Sequence, residues 1–160
     1  MPKHCCSNKK DIFQEAISHC RWKRVLRNEV LNSDKLKKEN LYKYAGNNFD
    51  QILLMVYNIC HNVKGIGMLT VYDITSAICR YNSIIIDKIY IVGNGPKRAI
   101  SLLEVVPKTK KIGRINLKYV EIAEILNAFS TKKYDIDSQM IYNNNCDDFE
   151  SYLCNWQKGK

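Results

Sequence analysis

Residues 64–71 read Lys-Gly-Ile-Gly-Met-Leu-Thr-Val and stand between two stretches whose apolar residues recur at helical spacing. A turn this short between two helices needs backbone free to take positive φ and no Cβ in the way of an approaching group. Gly65 and Gly67 offer both. The amide N–H groups that open the following helix have no partner within it, so they point outward as an anion site. Ile66, between the glycines, is expected to pin the turn to the core, and Thr70 to cap the next helix or open its first turn. Lys64 adds positive charge beside those amides.

Outward from this stretch, Asn48 with Gln51 has the form of a capping box opening a helix with Ile52, Leu53, Val56, Ile59 and Cys60 on one stripe. Past the glycines, Val71, Ile74 and Ile78 share a face of a helix that ends near Arg80. This is the layout of a helix-hairpin-helix element. A second copy of the frame, Gly93-Asn94-Gly95-Pro96-Lys97-Arg98-Ala99, starts 28 residues after Gly65. Pro96 suits the first position of a helix, and Lys97 and Arg98 bring charge to the exposed amides. Two such hairpins make a pseudo-symmetric pair able to grip phosphates of a duplex. The plain alternative is two unrelated glycine turns.

Charge supports a polyanionic partner. The 160-residue chain has a formal net charge of +9 and a pI near 9.2, and the surplus is unevenly placed. Residues 1–43 carry eleven Lys/Arg against five Asp/Glu and residues 61–115 nine against three, whereas residues 116–160 carry five against seven. A solvated lysine-rich surface explains the total more readily than it explains this distribution. Residues 107–114, Pro-Lys-Thr-Lys-Lys-Ile-Gly-Arg, read as a basic turn or loop that can lie on a phosphate backbone, with Lys110 and Lys111 as its contacts.

Elsewhere the reading is helical. Asp11 and Gln14 suggest a capping box ahead of Ile12, Phe13, Ala16, Ile17 and Cys20, and Ser33 can cap a second helix ending at Gly46. Ile84, Ile85 and Ile86 have strand composition but are too short and isolated to imply a sheet. Asp87 is expected to cap a short helix over 88–92 that enters the second hairpin, and a helix runs from Pro96 to about Val105. Val120, Ile122, Ile125, Leu126 and Phe129 mark a strongly apolar helix, residues 130–146 an exposed linker, and Phe149, Leu153 and Trp156 a closing helix that docks back. The expectation is an all-α fold, a single domain over 1–160 with tandem helix-hairpin-helix elements: basic N-terminal helices over 1–47, the hairpin core over 48–105, and a basic loop with closing helices over 106–160.

Seven cysteines come without a signal peptide, which favours a reducing compartment, cytoplasmic or nucleoid-associated. No apolar run reaches the roughly 18–20 residues needed to span a bilayer, so no membrane partner is expected. His4-Cys5-Cys6, His19-Cys20 and Cys60-His61 gather soft ligands, yet none has the spacing of a zinc knuckle. Thiols and solvated histidines are the expectation, with no metal and no cofactor. No phosphate-binding GxxxxGK[ST], HExxH, GxSxG or CxxC occurs.

Gly65-Ile66-Gly67 with Leu69-Thr70-Val71-Tyr72-Asp73-Ile74, then Asp87-Lys88-Ile89-Tyr90 and Leu153-Cys154, resembles a group of small helix-hairpin-helix proteins of bacteria and viruses over roughly residues 50–104 and the last turn. More distantly the chain is similar to the helix-hairpin-helix DNA glycosylases. That resemblance implies an aspartate, here Asp87, 20 residues past Gly67, capping a helix and facing a flipped-out nucleotide. The slot that holds a Schiff-base lysine in bifunctional members is Leu69 here, which removes that chemistry. Tyr72, Tyr81, Tyr90 and Trp22 are candidate stacking faces for an extruded base. Three functions follow. The first is DNA binding through backbone phosphates without sequence reading, in repair or processing, with double-stranded DNA as partner. The second is a monofunctional glycosylase using Asp87. The third is an adaptor whose apolar helix faces meet a protein partner.

Overall fold

The computed structural model describes residues 48–62 and 64–160. The helix expected from Asp11 towards Leu26, the helix from Ser33 to Gly46, the His4-Cys5-Cys6 and His19-Cys20 clusters, and Trp22 lie outside the described residues. The chain divides between Ile84 and Ile85 into two compact units.

The first unit holds α1, Phe49–Cys60, and α2, Met68–Tyr81, which pack on each other. Asn48 starts α1 by accepting the Gln51 N–H at 2.9 Å, the contact its spacing predicts. Ile52, Leu53, Val56 and Cys60 are wholly buried along one stripe of α1, and Ile74 and Ala77 likewise on α2. Thr75 sits in this apolar setting because its hydroxyl returns to the Val71 carbonyl at 2.7 Å.

The second unit corrects the all-α expectation. It contains a three-stranded antiparallel sheet in the order β1-β3-β2, from β1 (Ile89–Tyr90), β2 (Lys108–Ile112) and β3 (Ile115–Val120). Residues expected as a basic loop are therefore a strand, and residues expected as a helix over 88–92 include another. β3 alternates, with Ile115 and Leu117 buried and Asn116 and Lys118 exposed, the period of a pleated strand. Ile112 pairs with Ile115 around a two-residue loop. Gly113 takes its first position at φ 58°, as a primed hairpin turn requires. Of the three isoleucines ahead of β1, Ile86 is buried and Ile85 is 71% exposed. They form no ladder; the Ile86 carbonyl accepts the Cys146 N–H.

Four helices accompany the sheet: α3 (Asn94–Leu103), α4 (Ile122–Thr131), the short α5 (Ser138–Ile141) and α6 (Cys146–Trp156), followed by a 3-10 turn, Gln157–Gly159. α6 packs on β1 and on α3, and α3 also meets α4. The apolar helix starts later than its composition implies, because Val120 ends β3 and Glu121 is the N-cap of α4, in a reciprocal box with Glu124. The segment expected as an exposed linker contains α5, which buries Met140. The closing helix is present: Phe149 and Leu153 are fully buried, and the Trp156 ring stands 5.0 Å from that of Phe129.

Candidate nucleic-acid interface

The two glycine motifs occupy different settings. In the first, Gly65 turns the chain at φ 89°, and Gly67 is the N-cap of α2 at φ −102°, ψ −179°, with no side-chain cap. Positive φ is thus needed at one of the two glycines, not both. Lys64, Gly65 and Gly67 are exposed and Ile66 is half-buried. Among the described residues, a Cβ added to Gly67 would meet nothing within 4 Å, so the position beside the first turn of α2 has room for a side chain. Thr70 is the third residue of that helix and is buried. It belongs to the core, and it contributes its backbone N–H rather than its hydroxyl to the open turn.

The second motif follows a strand instead of a helix, so it is not a second helix-hairpin-helix element and the tandem pair is absent. Gly93 is the N-cap of α3, again without a side-chain cap, but it is buried. Pro96 is the third residue of α3 rather than the first, where its missing N–H is still without cost. Gly95 is there for packing: a Cβ would lie 2.5 Å from the Cys154 Sγ. Lys97 is exposed, and the Arg98 guanidinium donates to the Lys160 carbonyl at 2.9 Å.

α2 and α3 stand apart from the other helices in this respect. Asn48, Asp137 and Asn145 cap α1, α5 and α6 with side-chain oxygens, and Glu121 does so for α4. Only α2 joins an uncapped start to an exposed approach among the described residues.

Asp87 is exposed and lies outside any helix or strand, just ahead of β1. It caps no helix, because none follows it, so the setting that the glycosylase resemblance implies is not built at this residue. Tyr72 and Tyr90 are 2% and 0% exposed; Tyr72 packs on Phe49 with ring centroids 6.2 Å apart. Both serve the core rather than a base pocket. A cleft of ≈ 350 Å³ between α3 and α4 is lined by Leu103, Glu104, Asn127 and Lys132 among others and does not include Asp87. Its Glu104 is matched by Lys132 at 2.8 Å.

Lys110 and Lys111, expected together on one basic loop, are adjacent on β2 and therefore point to opposite faces. The Lys110 Nζ lies 3.5 Å from the Tyr90 hydroxyl, whereas Lys111 is exposed. Arg114 and Lys118 complete the basic hairpin, and what joins Lys118 to it is the strand pairing with Thr109, which no local motif announces.

Cys60 and His61 do not form a metal pair. Burial pushes the Cys60 thiol up to about 11, and the His61 Nδ1 lies 2.9 Å from the Tyr57 carbonyl. Among the described residues no three His, Cys, Asp or Glu side chains come together as a metal site. Burial, reinforced by Asp87 and Glu121, pushes Cys146 to about 12, so burial favours the protonated form of both thiols. Among the described residues, no helix is long and apolar enough to cross a membrane.

No family model matches the chain, and no curated protein or solved structure matches it.

Proposed function

We propose that the protein binds nucleic acid, duplex DNA in the first instance, by setting a backbone phosphate against the open first turn of α2. The observation that carries this reading is the bare, exposed start of that helix: Gly67 offers no cap, and among the described residues nothing stands within 4 Å of where its Cβ would be. The amides of Met68, Leu69 and Thr70 lack partners within the helix, and the helix dipole adds partial positive charge at the same end. Lys64, three residues before Gly67, supplies a full charge. Contacts of this kind position a protein on a backbone without reading bases, so binding is weakly selective and steeply salt-dependent. The work served is repair or processing of DNA in a reducing compartment, cytoplasm or nucleoid. Cys60, Cys79, Cys146 and Cys154 are all thiols, which is consistent with it.

The test is a fluorescence-anisotropy titration of labelled duplex DNA with the whole chain at several salt concentrations, alongside Gly67→Asp. A carboxylate at this N-cap occupies the open turn and repels phosphate without a steric cost to the fold. The expected result is salt-sensitive binding by the wild type and a loss of tenfold or more in the folded variant. Equal binding by the two proteins overturns the assignment of the site.

A further inference from the structure

Between Val105 and Val120 the chain places Lys108, Lys110, Lys111, Arg114 and Lys118 and no carboxylate. The ladder sorts these charges by face. Lys108 pairs with Tyr119, Lys110 with Leu117 and Ile112 with Ile115, while Thr109 pairs with Lys118 and Lys111 with Asn116. Residues directly opposite on antiparallel strands share a face. The first face carries the apolar contacts, and its two lysines are engaged: the Lys108 Nζ lies 2.9 Å from a Glu124 oxygen, and the Lys110 Nζ 3.5 Å from the Tyr90 hydroxyl. The second is different. Thr109, Lys111, Asn116 and Lys118 are all exposed, as is Arg114 at the tip. None of the ion pairs among the described residues engages Lys111, Arg114 or Lys118. The Lys118 Nζ donates to the Thr109 hydroxyl at 2.7 Å, which holds one ammonium across the ribbon without neutralising it.

We propose that this face of the β2–β3 ribbon is a second phosphate-binding surface, with Lys111, Arg114 and Lys118 contacting a nucleic-acid backbone. The inference rests on the reading of the chain as a nucleic-acid binder, and it assigns part of the binding to residues far in sequence from the α2 turn. Uncompensated cations on one side of a twisted ribbon are the complement of a regularly charged polyanion. Thr109 and Asn116 add neutral groups of the kind that bond phosphate oxygens. Beyond the end that β1 flanks at Tyr119 and Val120, the β2–β3 hairpin is two strands wide, a width that a major groove admits. A lipid surface fits less well, because the face offers no apolar side chain to enter a bilayer.

The test uses the whole chain with Lys111→Gln, Arg114→Gln and Lys118→Gln combined, titrated against labelled duplex DNA over a range of salt. Removing one lysine or arginine from a phosphate lowers the slope of log K against log salt by about 0.9, so the triple variant is expected to show a slope shallower by roughly 2–3 and at least tenfold weaker binding at low salt. Arg114→Gln alone, at the loop tip where the ladder is untouched, is expected to lower the slope by about one. Lys108→Gln, on the opposite face, is expected to leave it unchanged. A wild type that binds and weakens on Gly67→Asp, beside a folded triple variant with unaltered slope, overturns this inference and leaves the proposed function standing. A wild type that binds no duplex overturns the proposed function and the inference with it. Binding confined to anionic phosphatidylserine vesicles and abolished in the triple variant overturns the choice of ligand.

Discussion

A Cβ on Gly95 would stand 2.5 Å from the Cys154 Sγ and 3.4 Å from the Cys154 Cα, so the crossing of α3 and α6 is closed to any larger residue at this point. Gly95→Ala gains helix propensity of up to about 1 kcal/mol but forces an overpacked contact that typically costs about 1–3 kcal/mol. The expected outcome is net destabilisation of about 1–2 kcal/mol in urea unfolding. In a Cys154→Ala background the nearest atoms are those at 3.4 Å, and the same Gly95→Ala step is expected to become neutral or favourable. A double-mutant cycle reads the difference directly. Additive effects would place the role of Gly95 elsewhere than in this contact.

The two glycines of the first turn are predicted to respond oppositely. Gly65 sits at φ 89°, a conformation that costs an L-residue about 1–2 kcal/mol, so Gly65→Ala is expected to destabilise the fold by that amount. Gly67 is extended, open and at an N-cap. Gly67→Asp is expected to stabilise it by a few tenths of a kcal/mol or more, through capping and the helix dipole. Thermal and urea unfolding of both variants check the signs. A destabilised Gly67→Asp would remove it as a control for binding.

The same chemistry shows what the sequence disclosed. α1 and α2 are legible because Asn48, the Ile52/Leu53/Val56 stripe and the bare glycines state start, face and turn within a few residues. The closing helix is legible from Phe149 and Leu153 for the same reason. The sheet is not. β1 is two residues long and buried on both faces, so Ile89 and Tyr90 show no alternation. In β2 four of the five residues are Lys or Thr, since it is an edge strand, and polarity hides its period. The signal that remains is the alternation of Ile115, Leu117 and Tyr119 against Asn116 and Lys118, together with the Ile112-Gly113-Arg114-Ile115 turn. Of the candidate site, the glycines and Lys64 can be read locally. Gly95 cannot be told from a phosphate-binding glycine, because the atom that excludes a side chain there belongs to Cys154.

Three helices end in left-handed residues that are not glycine: Ser83, Glu104 and Lys133, with φ of 57°, 57° and 56°. Each closes the same pair of bonds. The Ser83 and Ile84 N–H groups return to Arg80 and Cys79, those of Glu104 and Val105 to Ser101 and Ile100, and those of Lys133 and Tyr134 to Ser130 and Phe129. This is the arrangement that glycine serves best. Ser83→Gly and Lys133→Gly are each expected to stabilise by about 0.5–1 kcal/mol. Glu104→Gly should give less, because it also removes the ion pair with Lys132 at 2.8 Å. Calorimetric Tm values for the three variants provide the comparison, and a fall in Tm for Lys133→Gly would show that its side chain is worth more than the backbone relief.

The charge at Glu124 predicts a pH dependence of defined sign. Its carboxylate accepts the Glu121 N–H at 2.8 Å and meets Lys108 at 2.9 Å. The backbone hydrogen bond first, then the lysine, hold it below the ordinary glutamate range. A group whose folded pKa is lowered stabilises fully above its unfolded value, about 4.3, and loses that contribution as pH falls through the folded value. Glu124→Gln keeps an oxygen for the N–H and removes the charge. The variant is therefore expected to be less stable than wild type at pH 7 by roughly 0.3–1 kcal/mol, the range for a partly exposed carboxylate in a first helical turn. The gap should narrow as pH falls below the unfolded value and through the lowered folded value of the wild-type carboxylate. Urea unfolding of both proteins at pH 7, 5 and 3 measures it. A gap of constant size across that range would assign the effect of the substitution to packing and not to charge.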